Sequence, residues 1–370
     1  MPQPRILLSK KSLIKNLENL TTLSGGLKAF PVLKANAYGL GIEEVASVFE
    51  AYSEETLPYY CVARTVELQQ LRALGVKRKL LLLSEWPVQW EDLPENSEVV
   101  ITCLEDFRRL VAQNKALSYH LKINSGMNRL GIRVSSLDEK ELDELVQLVQ
   151  IAEKKGQFCK GVCTHLASAE EIPEKFSYKQ LKIFQDNYEM LEKRLSKNFK
   201  WIHGLNSPGI LKKLAKQCPF NAFRPGIHLW GVRDPDSPID IAPVLQLRAP
   251  VRQLYWISRG ESVGYGRRYI ADKDTRVAIL NIGYADGLRR DSWARNLAFY
   301  YKGERAPLLG TVSMDMCAVD CTQIKEEILP NAEFEWIGPH QSVETIALAQ
   351  STIPYEVFTS LSVRIERQLV

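Results

Sequence analysis

No apolar run in the 370 residues is long enough to span a bilayer, and no internal repeat or low-complexity tract interrupts the chain. The N-terminal stretch MPQPRILLSKKSL lacks the apolar core and small-residue cleavage site of a secretory signal, so a cytoplasmic location is expected. Charge of one sign is missing too. The 48 basic and 44 acidic residues leave a net +4, evenly spread, and no basic patch is interleaved with aromatics. Nucleic acid and membrane surfaces are therefore not expected as partners. The seven cysteines are few, odd in number and scattered, as suits reduced thiols in a cytoplasm. Cys159/Cys163 and Cys317/Cys321 repeat a four-residue spacing, which on a strand returns to the same face. Neither pair has a ligand histidine or a Cys-x-x-Cys neighbour, so no metal site is expected.

A hydrophobic content of 45% with 25% charged residues is that of an ordinary globular protein, and the length exceeds one average domain. Up to about residue 232, short apolar β-branched runs alternate with helix-period segments. Candidate strands end near Lys34, Val62, Ser84, Thr102, Asn124, His165, Asn206 and Arg224. Helical periodicity is clearest at Leu142, Leu145, Val146 and Val149, and at Leu181, Phe184, Tyr188, Leu191 and Leu195. A first helix is expected to start with Ser12 as N-cap and to present Leu13, Ile14, Leu17 and Leu20 on one face. Eight strand–helix units predict an α/β fold, a (β/α)8 TIM-type barrel over residues 10–232. Asp234-Pro-Asp-Ser-Pro238 has the composition of a linker. Beyond it, short Val/Ile/Tyr-rich segments punctuated by glycine predict a mostly-β domain over 239–370, with a strand from residues 1–9 pairing into it.

Lys34 closes the apolar run Phe30-Pro-Val-Leu33 and precedes a glycine-containing turn that opens a helix. At a strand tip its ammonium is partly desolvated, which lowers its pKa, and a neutral amine can form a Schiff base with an aldehyde cofactor. Barrel enzymes carry their chemistry on the C-terminal ends of strands. Those positions hold Lys34, Lys122 with Arg129, His165, Asn206-Ser207 and Arg224-Pro-Gly226-Ile227. Such a mouth suits an anionic ligand. Ser207 and the amides of Gly226 and Ile227, expected at helix starts after the last two barrel strands, suit a phosphate.

The string Val32-Leu-Lys34-Ala-Asn-Ala-Tyr38-Gly-Leu-Gly41 resembles the pyridoxal 5'-phosphate signature of the alanine racemase family. Lys122-Ile-Asn-Ser-Gly-Met-Asn-Arg129, Thr164-His165, Asn206-Ser207 and Arg224-Pro-Gly-Ile227 resemble further motifs of that family. In the second half Gly264-Tyr265-Gly266, Gly283-Tyr284-Ala-Asp-Gly287, Ser313-Met314-Asp315 and Ile353-Pro-Tyr355-Glu356 follow in its order. The resemblance implies an isomerase that interconverts L- and D-alanine and supplies D-alanine for peptidoglycan. It implies a homodimer in which Tyr265 is donated across the interface. Lys34 and Tyr265 are then the bases on opposite faces of Cα. A free tyrosine has a pKa of about 10, so Tyr265 needs cationic or hydrogen-bonding help, and His165 is expected near it and near Arg224. Arg224, which cannot accept a proton, faces the cofactor's ring nitrogen and leaves it neutral. Arg129 faces the substrate carboxylate, and Lys122 is expected to be carbamylated. Tyr38, Ser207, Gly226, Ile227 and Tyr355 hold the phosphate, Tyr284 and Tyr355 narrow the entrance, and the Met314 amide meets the substrate carboxylate.

Several positions depart from the family pattern. Leu40 replaces a common histidine, Asn124-Ser125 an Asp-Thr, Trp230 a frequent tyrosine and Thr311 a frequent entrance arginine, although Arg290 is kept. His228 follows Ile227 where a small residue is common. These bear on entry and turnover and remove no proposed catalytic group. The alternatives are a racemase of another or broader amino-acid range, a basic-amino-acid decarboxylase, which Arg224 and the tyrosine turn disfavour, and a non-catalytic pyridoxal-phosphate carrier, which the second domain disfavours.

Overall fold

The computed structural model describes residues 2–86, 93–113, 115–171 and 173–370. The first strand, β1 (Arg5–Leu8), lies in the second domain's sheet, and the helix Lys10–Leu23 leads from it into the barrel. Ser9 caps this helix by accepting the Ser12 amide at 3.1 Å. Ser12 is thus inside the first turn and not the cap expected from sequence. Ser9 holds the extended conformation that lets its hydroxyl reach an orphan amide, and the helix begins earlier as a result. Leu13, Leu17 and Leu20 are buried together with Asn16. The Asn16 side chain bonds the Leu229 and Ala242 carbonyls and the Ala242 amide, which pins the helix to the segment between the domains.

Eight parallel strands follow: β2 (Lys28–Ala29), β3 (Tyr59–Val62), β4 (Lys79–Leu82), β5 (Ser97–Ile101), β6 (Leu117–Lys122), β7 (Gln157–Cys163), β8 (Trp201–His203) and β9 (Ala222–Phe223). From β3 to β9 each strand pairs with the next in sequence, and β9 pairs with β2. The ring closes through a parallel bridge between Val32 and Cys61, where the Leu33 amide meets the Cys61 carbonyl and the Cys61 amide the Pro31 carbonyl, both at 2.8 Å. All of Tyr59–Val62 and Ser97–Ile101 is buried, as in parallel strands covered by helices. The covering helices are amphipathic. In Glu139–Lys154 the buried residues are Leu142, Leu145, Leu148, Val149 and Ala152, and in Lys175–Leu195 Leu181, Phe184, Tyr188 and Leu191 face inward. None of the helices of the described residues is long and apolar enough to cross a membrane.

Residues 234–244 hold neither helix nor strand. The long strand β10 (Leu245–Ile257) then organises the second domain, with β11 (Ser262–Val263), β12 (Tyr269–Ile270), β13 (Thr275–Leu280), β14 (Ala298–Tyr301), β15 (Glu304–Pro307), β16 (Cys317–Asp320), β17 (Glu333–Ile337) and β18 (Glu366–Leu369). β1 pairs antiparallel with β10, Arg5 opposite Arg248, and parallel with β18, Arg5 opposite Glu366. The first half of β10 also pairs with β17. A bulge between Val251 and Gln253 turns its second half onto β13. The short hairpin β11–β12 stands apart and carries Tyr265 in its loop. One apolar core runs from the barrel helices into the second domain, and the helix Pro354–Thr359 packs on the residues that follow Lys34.

Candidate active site

The C-terminal ends of the barrel strands surround a cavity of about 470 Å3 lined by Lys34, Tyr38, Lys122, Arg129, His165, Asn206, Ser207, Arg224, Gly226, Ile227 and Tyr355. Five permanent or potential cations face it, Lys34, Lys122, Arg129, His165 and Arg224. Among the described residues no carboxylate lines it. Burial pushes the Lys34 ammonium below its usual pKa and Arg129 pushes further, while Glu67 opposes them. Burial also lowers Lys122, to about 8; Cys163 opposes this, and Arg224, Arg129 and Lys34 add to it. A ligand that brings negative charge relieves this mutual repulsion.

Lys34 heads an unusual turn. Ala35, Asn36, Ala37 and Tyr38 all have φ between 50° and 59°, and Gly39 follows at 86°. The left-handed conformation costs an L-residue about 1–2 kcal/mol, so Ala-Asn-Ala-Tyr does not choose it unaided. The turn is held from outside. The Glu67 carboxylate accepts the Ala35 amide at 2.5 Å, Asn36 Oδ1 accepts the Ile42 amide at 2.8 Å, and Arg367 of β18 donates to the Gly39 carbonyl at 2.9 Å. Gly39 also packs so close to Phe358 that a Cβ there would lie 2.1 Å from the Phe358 carbonyl oxygen. The Lys34 Nζ lies 5.9 Å from the centre of the Tyr38 ring.

Arg224 follows β9 and is buried at 6% exposure. It donates to the His203 carbonyl at 3.0 Å, to the Thr164 carbonyl at 2.5 Å, to His165 Nδ1 at 3.5 Å, and in a short contact to His203 Nδ1. An imidazole nitrogen that accepts leaves the proton on its other nitrogen. His203 Nε2–H therefore donates to His120 Nδ1 at 2.7 Å, and His120 Nε2–H to Glu98 at 3.0 Å. Burial and Arg224 hold both His165 and His203 well below the usual histidine pKa. Burial raises the Glu98 carboxyl, but His120, Tyr59 and Lys79 together outweigh it and keep it below the usual range. Sequence reasoning missed His203, His120 and Glu98. They lie within β8, β6 and β5 where a barrel strand is expected to be apolar, and that polarity was the available signal.

Also lining the cavity, Asn206 caps the short helix Ser207–Leu211, accepting the Gly209 amide at 3.1 Å. Ser207 opens that helix, but Gly226 and Ile227 sit in an isolated turn and not at the helix start expected from sequence. Pro225 and the glycine favour a turn, and the Gly226 amide is drawn to Ser207 Oγ at 2.8 Å. A Cβ on Gly226 would lie 2.6 Å from the Tyr38 hydroxyl, so glycine keeps this cradle of hydroxyls and amides open. Burial, then Glu170, raises Tyr355 to about 12, so its hydroxyl keeps its proton as a donor.

Three expected residues are not brought to the cavity by a single chain. Tyr265, Tyr284 and Met314 are 69%, 39% and 54% exposed on the second domain and are absent from its lining. His165 thus meets Arg224 but not a Tyr265 of its own chain. The departures are accommodated locally. Asn124 Oδ1 accepts the Gly126 and Asn128 amides at 3.0 and 3.1 Å, and the Ser125 hydroxyl pairs with that of Thr164 at 2.7 Å. His228 bonds the Val232 carbonyl at 2.8 Å and belongs to the domain junction. Leu40 and Trp230 are fully buried, and Thr311 is buried.

Two family models match the chain, "Alanine racemase, N-terminal domain" over residues 8–234 and "Alanine racemase, C-terminal domain" over residues 244–369. The chain belongs to the alanine racemase family. Alanine racemases of Shewanella amazonensis and Deinococcus deserti are each 32% identical over 98% of the chain and 98% of their own length. Among solved structures, alanine racemase from Bartonella henselae with covalently bound pyridoxal phosphate superposes at a TM-score of 0.85 with 28% identity, covering all of both chains. Alanine racemase from Clostridium difficile reaches 0.88 at 28% identity over the whole chain and 96% of the other. This family's architecture, a parallel eight-stranded barrel followed by a mostly-β domain, is the fold described above.

Proposed function

We propose that the protein is a pyridoxal 5'-phosphate-dependent alanine racemase that interconverts L- and D-alanine. The observation that carries this reading is the barrel cavity itself: a depressed lysine among cations, without a lining carboxylate, beside a glycine cradle that a Cβ would fill. A phosphorylated aldehyde fits those residues. When bound, the cofactor supplies an aldehyde for the lysine and an electron sink that acidifies the substrate Cα.

The chain's own groups do the rest. The Lys34 amine, lowered toward its neutral form, binds the aldehyde and, once released, takes or returns a proton at one face of Cα. Tyr38, Ser207, Tyr355 and the amides of Gly226 and Ile227 receive the phosphate. Arg224, held through Nη1 and Nη2, presents a group that never accepts a proton, so a ring nitrogen bound against it would stay unprotonated. Arg129 meets the substrate carboxylate. Lys122, with its amine near pKa 8 and three cations around it, is carbamylated and turns a repelling cation into an anion that positions Arg129.

The second base is Tyr265 of a partner subunit. The exposure of Tyr265, Tyr284 and Met314 on one chain supports a homodimer whose sites are composite. His165, kept neutral by burial and Arg224, accepts from Arg224 at Nδ1, so its Nε2–H donates toward that phenol oxygen and stabilises the phenolate. Tyr284 and Tyr355 narrow the entrance, the Met314 amide meets the carboxylate, and a narrow cavity favours alanine over longer side chains. The protein works in a cytoplasm and supplies D-alanine for peptidoglycan. Incubating the holoprotein with L-alanine in deuterated water tests the reading: D-alanine forms with loss of the Cα–H signal. Exchange without inversion would limit the site to one base, and no exchange would redirect the reading to another amino acid.

A further inference from the structure

We propose that Glu67 is a positioning residue for Lys34. Its carboxylate ties the left-handed turn that starts at the lysine to the loop after the neighbouring strand, and sets one negative charge behind a cationic cavity wall. The inference rests on the reading of Lys34 as the amine that binds an aldehyde. Glu67 lies in the first turn of the helix Thr65–Ala73 and is buried at 9% exposure. Its Oε1 accepts the Ala35 amide at 2.5 Å, and its Oε2 accepts the amides of Ala63 and Arg64 at 2.8 and 2.9 Å. Ala35 is the residue after Lys34, and Ala63 lines the cavity. One side chain therefore bridges the segments that follow β2 and β3.

The turn needs such a hold because four consecutive non-glycine residues are left-handed. The bonds from Ile42 to Asn36 and from Arg367 to Gly39 act farther along the turn, whereas Glu67 grips it at the lysine's own end. The charge matters separately. Lys34 shares the cavity with Arg129, Lys122, Arg224, His165 and Tyr38, and Glu67 is the anion that counteracts burial and Arg129 at its amine. Glu85 offers a built-in control. It caps the Thr65 amide in the same loop and bonds nothing in the Lys34 turn.

The test compares the parent with Glu67→Gln, Glu67→Asp and Glu85→Gln. Each protein is stripped and reloaded with pyridoxal 5'-phosphate. Absorbance of the bound cofactor is followed against time and pH, and borohydride trapping with peptide mass locates it on Lys34. Glu67→Gln should load about tenfold more slowly, through a misplaced amine, and its absorbance midpoint should move to lower pH because a nearby anion is gone. Glu67→Asp should keep the parent midpoint but load slowly, since a carboxylate one methylene shorter cannot reach both sets of amides. Glu85→Gln should match the parent. A Glu67→Gln protein equal to the parent in both readouts overturns the proposal, as does a Glu85→Gln protein that reproduces the defect. If Glu67→Gln does not fold, parent-like loading by Glu67→Asp overturns it and slow loading supports it. Failure of the parent to bind the cofactor at Lys34 would sink the reading of the lysine itself, and this inference with it.

Discussion

Nη2 of Arg224 lies 3.5 Å from Nδ1 of His165, so a guanidinium donor faces an imidazole acceptor at the mouth of the barrel. Such a pairing exists only while the imidazole is neutral. Together with Arg224 on His203, it makes the charge state of the barrel's histidines part of its stability.

Acid should therefore weaken the fold before its carboxylates titrate. His203 and His228 are buried and held below their usual pKa, and His165 is shifted the same way. Well above pH 6.5 both folded and unfolded states leave them neutral, and the stability is complete. Below that, the unfolded chain binds protons that the fold refuses, at about 1.4 kcal/mol per buried histidine for each pH unit. Urea unfolding between about pH 7.5 and pH 5 should show a falling midpoint. A flat or rising midpoint would contradict the neutral assignment.

Replacing Lys34 with alanine removes the amine and leaves the left-handed turn and its external bonds in place. Racemisation should drop by more than about 10^3-fold while the unfolding midpoint stays near the parent's. Borohydride treatment should no longer attach the cofactor to this peptide. Label trapped on a different peptide would assign the chemistry to another lysine, and Lys122 would be the first to examine.

Tyr265 offers a test of the composite site. Tyr265→Phe should lose inversion by about 10^2- to 10^4-fold and keep Cα exchange on one enantiomer. Mixing it with Lys34→Ala and refolding should restore about a quarter of parental activity, because half of the dimers are mixed and each carries one intact site. No restoration would mean that both residues serve from the same chain.

Lys122 should gain one CO2 in intact mass under non-acidic conditions, since its neutral amine can attack carbon dioxide, forming an N–C bond and releasing a proton. Lys122→Ala should lower kcat/KM by about tenfold and recover with added acetate. An unmodified mass with full activity would remove carbamylation from the account.

Much of the barrel was readable residue by residue. The proposed strand ends at Val62, Thr102 and Arg224 fall within a residue of the observed ends of β3, β5 and β9, because buried parallel strands are short apolar runs that stop where polar loops begin. The helices at Glu139 and Lys175 were readable from their period. Ser9 outcompeted Ser12 as the first cap because hydroxyls three residues apart look alike in sequence, and only backbone conformation separates them. Glu67, His120, His203 and Arg367 went unseen. Each bonds a group 21 to 328 residues away, across strands or domains, and the identity of such a partner carries no local signature.

Residue type and order sufficed for the presence of eight parallel barrel strands, a lysine just past the first of them and a cationic mouth, since these follow from local hydrophobicity and the polarity of strand ends. They did not suffice for the left-handed path of Ala35–Tyr38 or the proton direction from Arg224 through His203 and His120 to Glu98. Those states are unfavourable or ambiguous for the isolated segment. They exist because distant carboxylates, carbonyls and a guanidinium close on them when the barrel and the second domain pack together.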